Sequence, residues 1–566
     1  MENLLKADSI TVKKYLNVVD GRFRIPFTQR PYEWTKKQVS RLFYDAMSVA
    51  EDKDHQHILN FVTIFKEEVD GQSYRNIYDG QQRTVTLFLL VAAFADIIDQ
   101  MEGTEGSASK IRSDFLREES WEVDKQEEPN LVFDNEDTTK FFERYVIERE
   151  DLEDFPVTDH EKHIKQNYDW ISKELQEYIA DNELDVNDVR RYLSQILNNM
   201  HIIVLQTINE EVANQMFETL NNTGKKLANF YVLKNNCVKV IGEEKTAKYW
   251  EEIEQNTDGL NKNQFFTQFV SLYNGKTSNA KTIEVLESKG HFDTPAAVEE
   301  MLKEMVHASF VFLTLHQPAQ RRSQVKGESI SEQERFSELV EAIQLFKATQ
   351  YRPVIMAMEV TKSYDLVQIN DVLDAILNLQ IRNFFIGERK NNTVEVFFPQ
   401  VAKEIKTEMY EVENIIRQIK EKTLSDQAVK AALEEKVFKK AEMKGIRYLL
   451  QKMYAYENNG EILINDNSMH VNLEHILPQN PKEDSAWNDL FIKEDRAHYV
   501  GNLGNMTLIL SKANSSIGNK EFNEKKEILA QSQIPQNQEI AKNNNWTPDT
   551  IEKRLKVLAN SLVKVF

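Results

Sequence analysis

The stretch from Asn472 to Lys526 gathers side chains that could do chemistry together. It runs Glu474-His475-Ile476-Leu477-Pro478-Gln479, then Gly504-Asn505-Met506-Thr507-Leu508, then Asn514, then Gly518-Asn519-Lys520. His475 stands 30 residues before Asn505, and Asn505 stands 9 before Asn514. Hydrolysis of a phosphodiester needs a base to activate water and a cation to neutralise charge on the phosphate. Neutral imidazole can be that base near pH 7. A hard cation such as Mg2+ takes oxygen ligands and keeps several waters, and Glu474 and Asn514 carry such oxygens. Asn505 can hold the loop or orient His475 through its amide.

A second set lies far upstream. Asp79-Gly80-Gln81-Gln82-Arg83 stands between a strand pattern and an apolar helix pattern. Asp79 with Gln82 three residues on fits a capping box, so taken alone the segment describes a well-made turn. The same residues suit an anion. A glycine turn brings backbone N–H groups to the positive end of a helix, and Arg83 adds a fork that matches phosphate oxygens. Gln81 and Gln82 can position a water or a base edge. The proline-punctuated, aromatic-rich stretch from Phe23 to Trp34 includes Gln29 and Arg30.

These sets need scaffolds. Residues 1 to about 100 read as an α/β unit. It has a helix over 36–49, a strand over 58–65, a turn at Asp70-Gly71, a returning strand over 74–78 and a helix over 84–99. Residues 101–165 are acidic, with Glu118, Glu119, Glu122, Asp124, Glu127 and Glu128, and read as an exposed insertion. A helical segment over 166–200 and a short strand over 201–206 follow. From 240 to 450 apolar residues recur at helical spacing, with a loop expected over 317–334 and a polar break over 382–392. A strand through Glu474 and His475 would point them to opposite faces, so a bend is needed there, and Pro478 stops the strand. Thr547 or Asp549 can cap a last helix over 551–565, with Pro548 in its first turn. Arg554 on that helix could touch phosphate or serve only the surface.

With its acid–His pair, loop Asn and final Asn, the late stretch resembles the His-Asn-His (ββα-metal, His-Me finger) endonucleases. The resemblance implies His475 as general base, Asn505 as the supporting Asn, and Glu474 and Asn514 as ligands of Mg2+ (or Mn2+). The family's last position is a His or an Asn; here it is Asn514. Many members carry a structural zinc on paired Cys, which a chain with one Cys, Cys237, excludes.

Asp79 to Arg83, together with Pro26, Gln29, Arg30, Tyr32 and Trp34, resembles the N-terminal domain of GmrSD-type modification-dependent (type IV) restriction enzymes. The resemblance continues through Met216 to Gly224, Leu227 and Lys234-Asn235. Tyr231 stands where the family usually has Asp, and Asn60 where it often has Gly. The fold so implied is ParB/sulfiredoxin-like. The ligand implied is a nucleoside triphosphate (GTP, ATP, UTP or CTP), held by Asp79, Gly80, Gln81, Gln82, Arg83, Gln29 and Arg30.

The fold class expected is therefore α+β and predominantly helical. Residues 1–240 form a nucleotide-binding and sensing domain, 241–430 a helical coupling region and 431–566 the nuclease domain. The 566 residues carry a net charge of -21, which argues against a surface coated with nucleic acid. Double-stranded DNA would need a local basic patch, and Lys439, Lys440, Lys444 and Arg447 supply one. No apolar run of 18 residues is found, so no membrane span is expected. One Cys, with no signal-peptide core at the N-terminus, fits the cytoplasm. A homo-oligomer is compatible with the sequence. The function expected is a nucleotide-regulated DNA endonuclease or nickase, with triphosphatase activity in the N-terminal domain, of a prokaryotic antiphage system acting on modified phage DNA. The alternatives are a nucleotide-binding DNA sensor with an inactive finger, and an RNA-directed nuclease toxin.

Overall fold

β-Branched and aromatic residues between 57 and 79 alternate through a hairpin, and that hairpin is the middle of the largest sheet. The computed structural model describes residues 6–17, 21–69, 71–102, 106–118, 128–150, 158–209, 212–213, 229–325, 327–408, 410–460, 471–511 and 517–566. Met216 to Gly224, Leu227 and Asn514 lie outside them. The chain divides into two compact units, Met1–Asn263 with Phe292–Glu299, and Gln264–His291 with Glu300–Phe566. The sequence reading set off 241–430 as a coupling region; most of it shares a unit with 431–566.

The elements of the first unit that matter here are β1 (Lys6–Thr11), β2 (Arg22–Ile25), α1 (Lys36–Glu51), β3 (His57–Val69), β4 (Gln72–Asp79), α2 (Gln81–Glu102), β5 (Leu131–Phe133), α3 (Asp159–Asp181), α4 (Val186–Asn199), β6 (Met200–Thr207) and α5 (Asn229–Ile241). The strands form one sheet in the order β1-β6-β3-β4-β2-β5. It is mixed: β3 and β4 pair antiparallel, β3 and β6 parallel, and β2 parallel to both β4 and β5. Against β6 the register of β3 slips between Leu59 and Phe61, which leaves Asn60 as the extra residue of a bulge. A bulge is a place where Gly is often used.

Helix α2 is apolar on every side, as a helix surrounded by core must be, with Val85, Phe88, Leu89, Val91, Ala92 and Phe94 all buried. By length and composition alone it could cross a membrane, yet 83% of that window is buried inside the unit. Its apolar run stops at Asp96, short of 18 residues. Asp96 is itself buried and accepts from Arg112 at 2.6 Å.

The expected exposed insertion over 101–165 instead contributes a strand and several side chains to the core. β5 adds a strand to the sheet, and Phe115, Leu116, Leu131, Phe133, Phe141 and Phe142 are buried in the main cluster. Asn130 ties the segment down, its amide donating to the carbonyls of Leu16 and Phe115 at 2.8 and 2.9 Å. The acidic composition hid these anchors. Most of the acidic residues, Glu119, Glu122, Asp124 and Glu127, lie outside the described residues.

The second unit is helical apart from one two-stranded sheet among its described residues. The expected loop over 317–334 is partly helical, with Ala319–Gln324 forming one helix and Ile330 opening another. Buried Arg321 stiffens it by pairing with Glu328 and Glu359, each at 2.5 Å. The expected break at 382 continues as a π-helix, Gln380–Ile386. There Arg382 donates to the carbonyls of Phe566 at 2.7 Å and Leu424 at 3.0 Å.

Towards the C-terminus come α6 (Met443–Glu457), β7 (Val471–His475), β8 (Met506–Leu510), α7 (Phe522–Ala530), α8 (Pro535–Ala541) and α9 (Pro548–Val565). β7 and β8 pair antiparallel with Met506 opposite His475 and Thr507 opposite Glu474. Ile476, Leu477, Trp487, Phe522, Trp546 and Ile551 form the core beside them. Thr547 caps α9 through the Thr550 N–H at 3.3 Å.

Candidate functional site

His475 is the last residue of β7, and the chain must turn immediately after it. Asn505 makes the turn. Its Oδ1 accepts from the Leu477 N–H at 2.7 Å, its Nδ2 donates to the Leu477 carbonyl at 3.1 Å, and its own carbonyl accepts from the Ile476 N–H at 2.9 Å. Trp546 Nε1 donates to the same Oδ1 at 3.0 Å. Of the two roles open to Asn505 the structure therefore shows loop-holding. Arg554 is spent in the same place, donating to the carbonyls of Gly504 and Met506, both at 2.7 Å, and to the Tyr454 hydroxyl at 2.9 Å. It is a brace of the turn and not a surface group. Gly504 admits that brace, since a Cβ there would lie 2.3 Å from the Ile551 carbonyl oxygen.

The electrostatics of the turn are set by a residue the sequence reading passed over. Lys525 on α7 has a side chain with no exposed surface and pairs with Glu474 at 2.7 Å. The same ammonium donates to the His475 carbonyl at 2.9 Å. Burial pushes the Glu474 carboxyl up and the Lys525 ammonium down, and each partner's charge opposes the shift of the other. Burial, with the Lys525 charge second, lowers His475 to about 4. The imidazole is thus neutral at pH 7. Its Nε2 is out of solvent and has no hydrogen-bond partner among the described residues.

A detectable signal for Lys525 was its position. Phe522, Lys525 and Leu529 are the residues α7 buries, a spacing that places a lysine on an apolar stripe.

The basic patch lies on the strands' other neighbour. Lys439, Lys440 and Lys444 are exposed, and Arg447 is half-buried. Phe438 N–H donates to the Gly501 carbonyl at 2.8 Å, and Tyr454 on α6 bonds Thr507 of β8 at 3.0 Å. Patch and hairpin are therefore parts of one packed body.

In the first unit Gly80 occupies φ +88°, and a Cβ there would lie 2.6 Å from Val62 Cγ2, so the turn requires glycine. Asp79 Oδ1 accepts from the Gly80 N–H at 2.8 Å. The expected capping box does not use Gln82. Its Oε1 accepts from the N–H groups of Glu33 and Trp34 at 2.7 and 3.1 Å, and its Nε2 donates to the Pro31 carbonyl at 2.8 Å. Gln81 donates to the Arg30 carbonyl. These two amides bring the segment of Gln29 and Arg30 onto the start of α2. Arg83 donates to the Phe61 carbonyl at 3.1 Å, beside the bulge at Asn60. Burial raises Asp79 and lowers Arg83, and each opposes the other's shift. Gln81 Oε1 is buried without a partner among the described residues.

Comparison with known families gives two matches. A model of the N-terminal domain of GmrSD restriction endonucleases matches residues 12–238. A model of the C-terminal domain of GmrSD restriction endonucleases matches residues 423–561. Together they take in most of the chain. No curated protein matches it.

Proposed function

The chain belongs to the GmrSD restriction endonucleases, a nuclease family of phage defence whose substrate is DNA, and from that premise we propose a metal-dependent, nucleotide-regulated enzyme that cuts or nicks modified phage DNA in the cytoplasm. The observation that carries the nuclease reading is the neutral, half-buried His475 with an unpartnered, buried Nε2 at the end of β7. The Nε2 so placed is tied to no described protein group, and the ring stays neutral at pH 7.

In this reading β7, the Asn505 turn, β8 and α7 are a ββα-metal (HNH) finger. His475 takes the proton from the attacking water. Asn505 and Arg554 fix the loop so that the imidazole does not swing. Among the described residues no three His, Cys, Asp or Glu converge. The oxygens of Glu474 and Asn514 would be the protein ligands of a hard cation that keeps most of its waters, Mg2+ or Mn2+. When bound, that cation neutralises charge developing on the phosphate. Lys439, Lys440, Lys444 and Arg447 bind the DNA backbone from the same body.

For the first unit we propose a ParB/sulfiredoxin-like domain that binds and hydrolyses a nucleoside triphosphate. Gly80 and the start of α2 would meet the phosphates, with Arg83, Arg30, Gln29, Gln81, Gln82 and Asp79 around them. The buried Gln81 Oε1 and the charged Arg83–Asp79 neighbourhood support it.

The test is cleavage of plasmid by the purified full chain. Activity is expected with Mg2+ or Mn2+ and is expected to vanish with chelator. Asn514→Ala is expected to cut slowly and to recover partly as the cation is raised. A wild type that cuts in chelator would overturn the metal reading.

A further inference from the structure

The second unit buries an arginine without a counter-charge. Arg352 opens the helix Arg352–Thr361 and is 5% exposed. Among the described residues no carboxylate pairs with it. Its guanidinium donates to Gln264 Oε1 at 3.5 Å, the outer limit of such a bond, and its Nε is buried with no partner. The face of Phe312 lies 5.4 Å away, but a ring quadrupole offsets only part of what a buried charge loses in hydration. Arg321, in the same unit and as deeply buried, is held instead by Glu328 and Glu359. The groups around Arg352 are unfinished too. Tyr351 stands beside the guanidinium and is 1% exposed, and its hydroxyl has no hydrogen-bond partner among the described residues. Gln268, one turn after Gln264 on the helix Lys262–Asn274, donates its Nε2 to the Thr349 carbonyl at 3.3 Å. Its Oε1 is buried without a partner among those residues. The helix that Arg352 opens has no acidic residue in its first turn to offset its positive end.

We propose that these groups bind hydrogen phosphate: the Arg352 guanidinium and the Tyr351 hydroxyl donate to its oxygens, and its own hydrogen goes to Gln268 Oε1. The site uses no residue of the nuclease finger or of the triphosphate site. An anion supplies the missing counter-charge, and a buried charge gains most from one. The guanidinium fork matches the edge of a phosphate. Burial pushes the Tyr351 hydroxyl up to about 12, so it stays a donor at neutral pH. The bond from Nε2 to Thr349 fixes which end of Gln268 is free. That end is an acceptor, which a fully deprotonated anion would oppose and hydrogen phosphate satisfies. With so little of Arg352 exposed, the backbone of a duplex is kept off it, and a small oxyanion is the class that reaches it.

The test is calorimetric titration of inorganic phosphate into the full chain at about pH 7.5, with the phosphate-dependent rise in Tm beside it. The wild type is expected to bind phosphate and to gain Tm; a wild type that does neither overturns the proposal. Sulfate has the same shape and no hydrogen at that pH, and is expected to bind about tenfold weaker. Sulfate bound as tightly as phosphate overturns the assignment. Arg352→Met is expected to weaken phosphate binding roughly tenfold to a hundredfold. Having lost an uncompensated buried charge, it is also expected to melt no lower than the wild type in phosphate-free buffer. An arginine with only a structural duty makes the opposite forecast, a lower Tm in the variant and no response to phosphate in the wild type. If Arg352→Met does not fold, Gln264→Glu carries the comparison. It keeps the shape and puts a carboxylate where an amide oxygen now stands 3.5 Å from the guanidinium. It is expected to raise Tm without phosphate and to lose the response to phosphate; a Gln264→Glu protein that binds phosphate as the wild type does overturns the proposal. Arg83→Ala is expected to bind phosphate as the wild type does. Phosphate binding lost in Arg83→Ala would place the ion at the triphosphate site and overturn the proposal.

Discussion

Asn505 is fully buried, and its side-chain amide satisfies three groups that have no water to turn to: the Leu477 N–H, the Leu477 carbonyl and the Trp546 indole. Replacing it with Ala strands all three, at a cost of about 1–3 kcal/mol for each buried group left unmade. Asn505→Ala is therefore expected to lower Tm and to slow cleavage, because the turn that presents His475 is lost. Thermal denaturation beside a cleavage assay checks this, and an unchanged Tm would refute the loop-holding role. His475, Glu474 and Asn505 were legible in the sequence because their types and spacing are unusual together. Lys525 was passed over, because a lysine in an amphipathic helix ordinarily reads as solvated, although its spacing from Phe522 and Leu529 puts it on the apolar stripe of α7. Gln82 was misread for a related reason. Its spacing from Asp79 suits a local cap, but the segment Pro31–Trp34 offers its amide three backbone partners.

Among the elements, the first turn of α3 carries a histidine, His160, that sets an acid limit on the first unit. His160 packs edge-on against Phe133, 5.4 Å between centroids, and its Nε2 is buried without a partner among the described residues. Burial first, then the charge of Lys262, lowers it to about 3. Its folded value thus lies below its unfolded 6.5. Between those two values the unfolded chain binds the extra proton, so this contribution to stability is complete above pH 6.5 and is lost as pH falls towards 3. His160→Phe is expected to flatten the decline by up to about 1.4 kcal/mol per pH unit. Tm followed against pH for both proteins measures it, and parallel curves would refute it. At this scale the β3–β4 hairpin and α1, α2 and β6 were all legible, because their periodicity is local. β5 and the helix Ala319–Gln324 were not. The first has three residues and is a strand only because β2 pairs with it. The second is polar and is ordered by the buried ion pairs of Arg321.

For the whole molecule, the net charge of -21 confines DNA to local positive surface, and a nuclease in its own cell needs restraint. We place that restraint at the triphosphate site proposed around Arg83. Arg83→Ala removes a charge-assisted contact of about 1.5–3 kcal/mol, so triphosphate affinity is expected to fall roughly tenfold to a hundredfold, and regulated cleavage with it. Titrating nucleotide into both proteins while following binding and cleavage tests the coupling; lost binding with unchanged cleavage would leave two independent domains. That two such domains share one chain was legible from motifs. How the helical region between them is divided was not, because helices of similar composition pack equally well on either side of a boundary drawn from sequence. The central claim is that His475 is the base of a metal-dependent nuclease. Its most direct test is the rate at which purified wild type and His475→Ala convert supercoiled plasmid in Mg2+, with matched circular dichroism spectra. The variant is expected to be slower by about 10²–10⁴; a folded His475→Ala that cuts at the wild-type rate would contradict the claim.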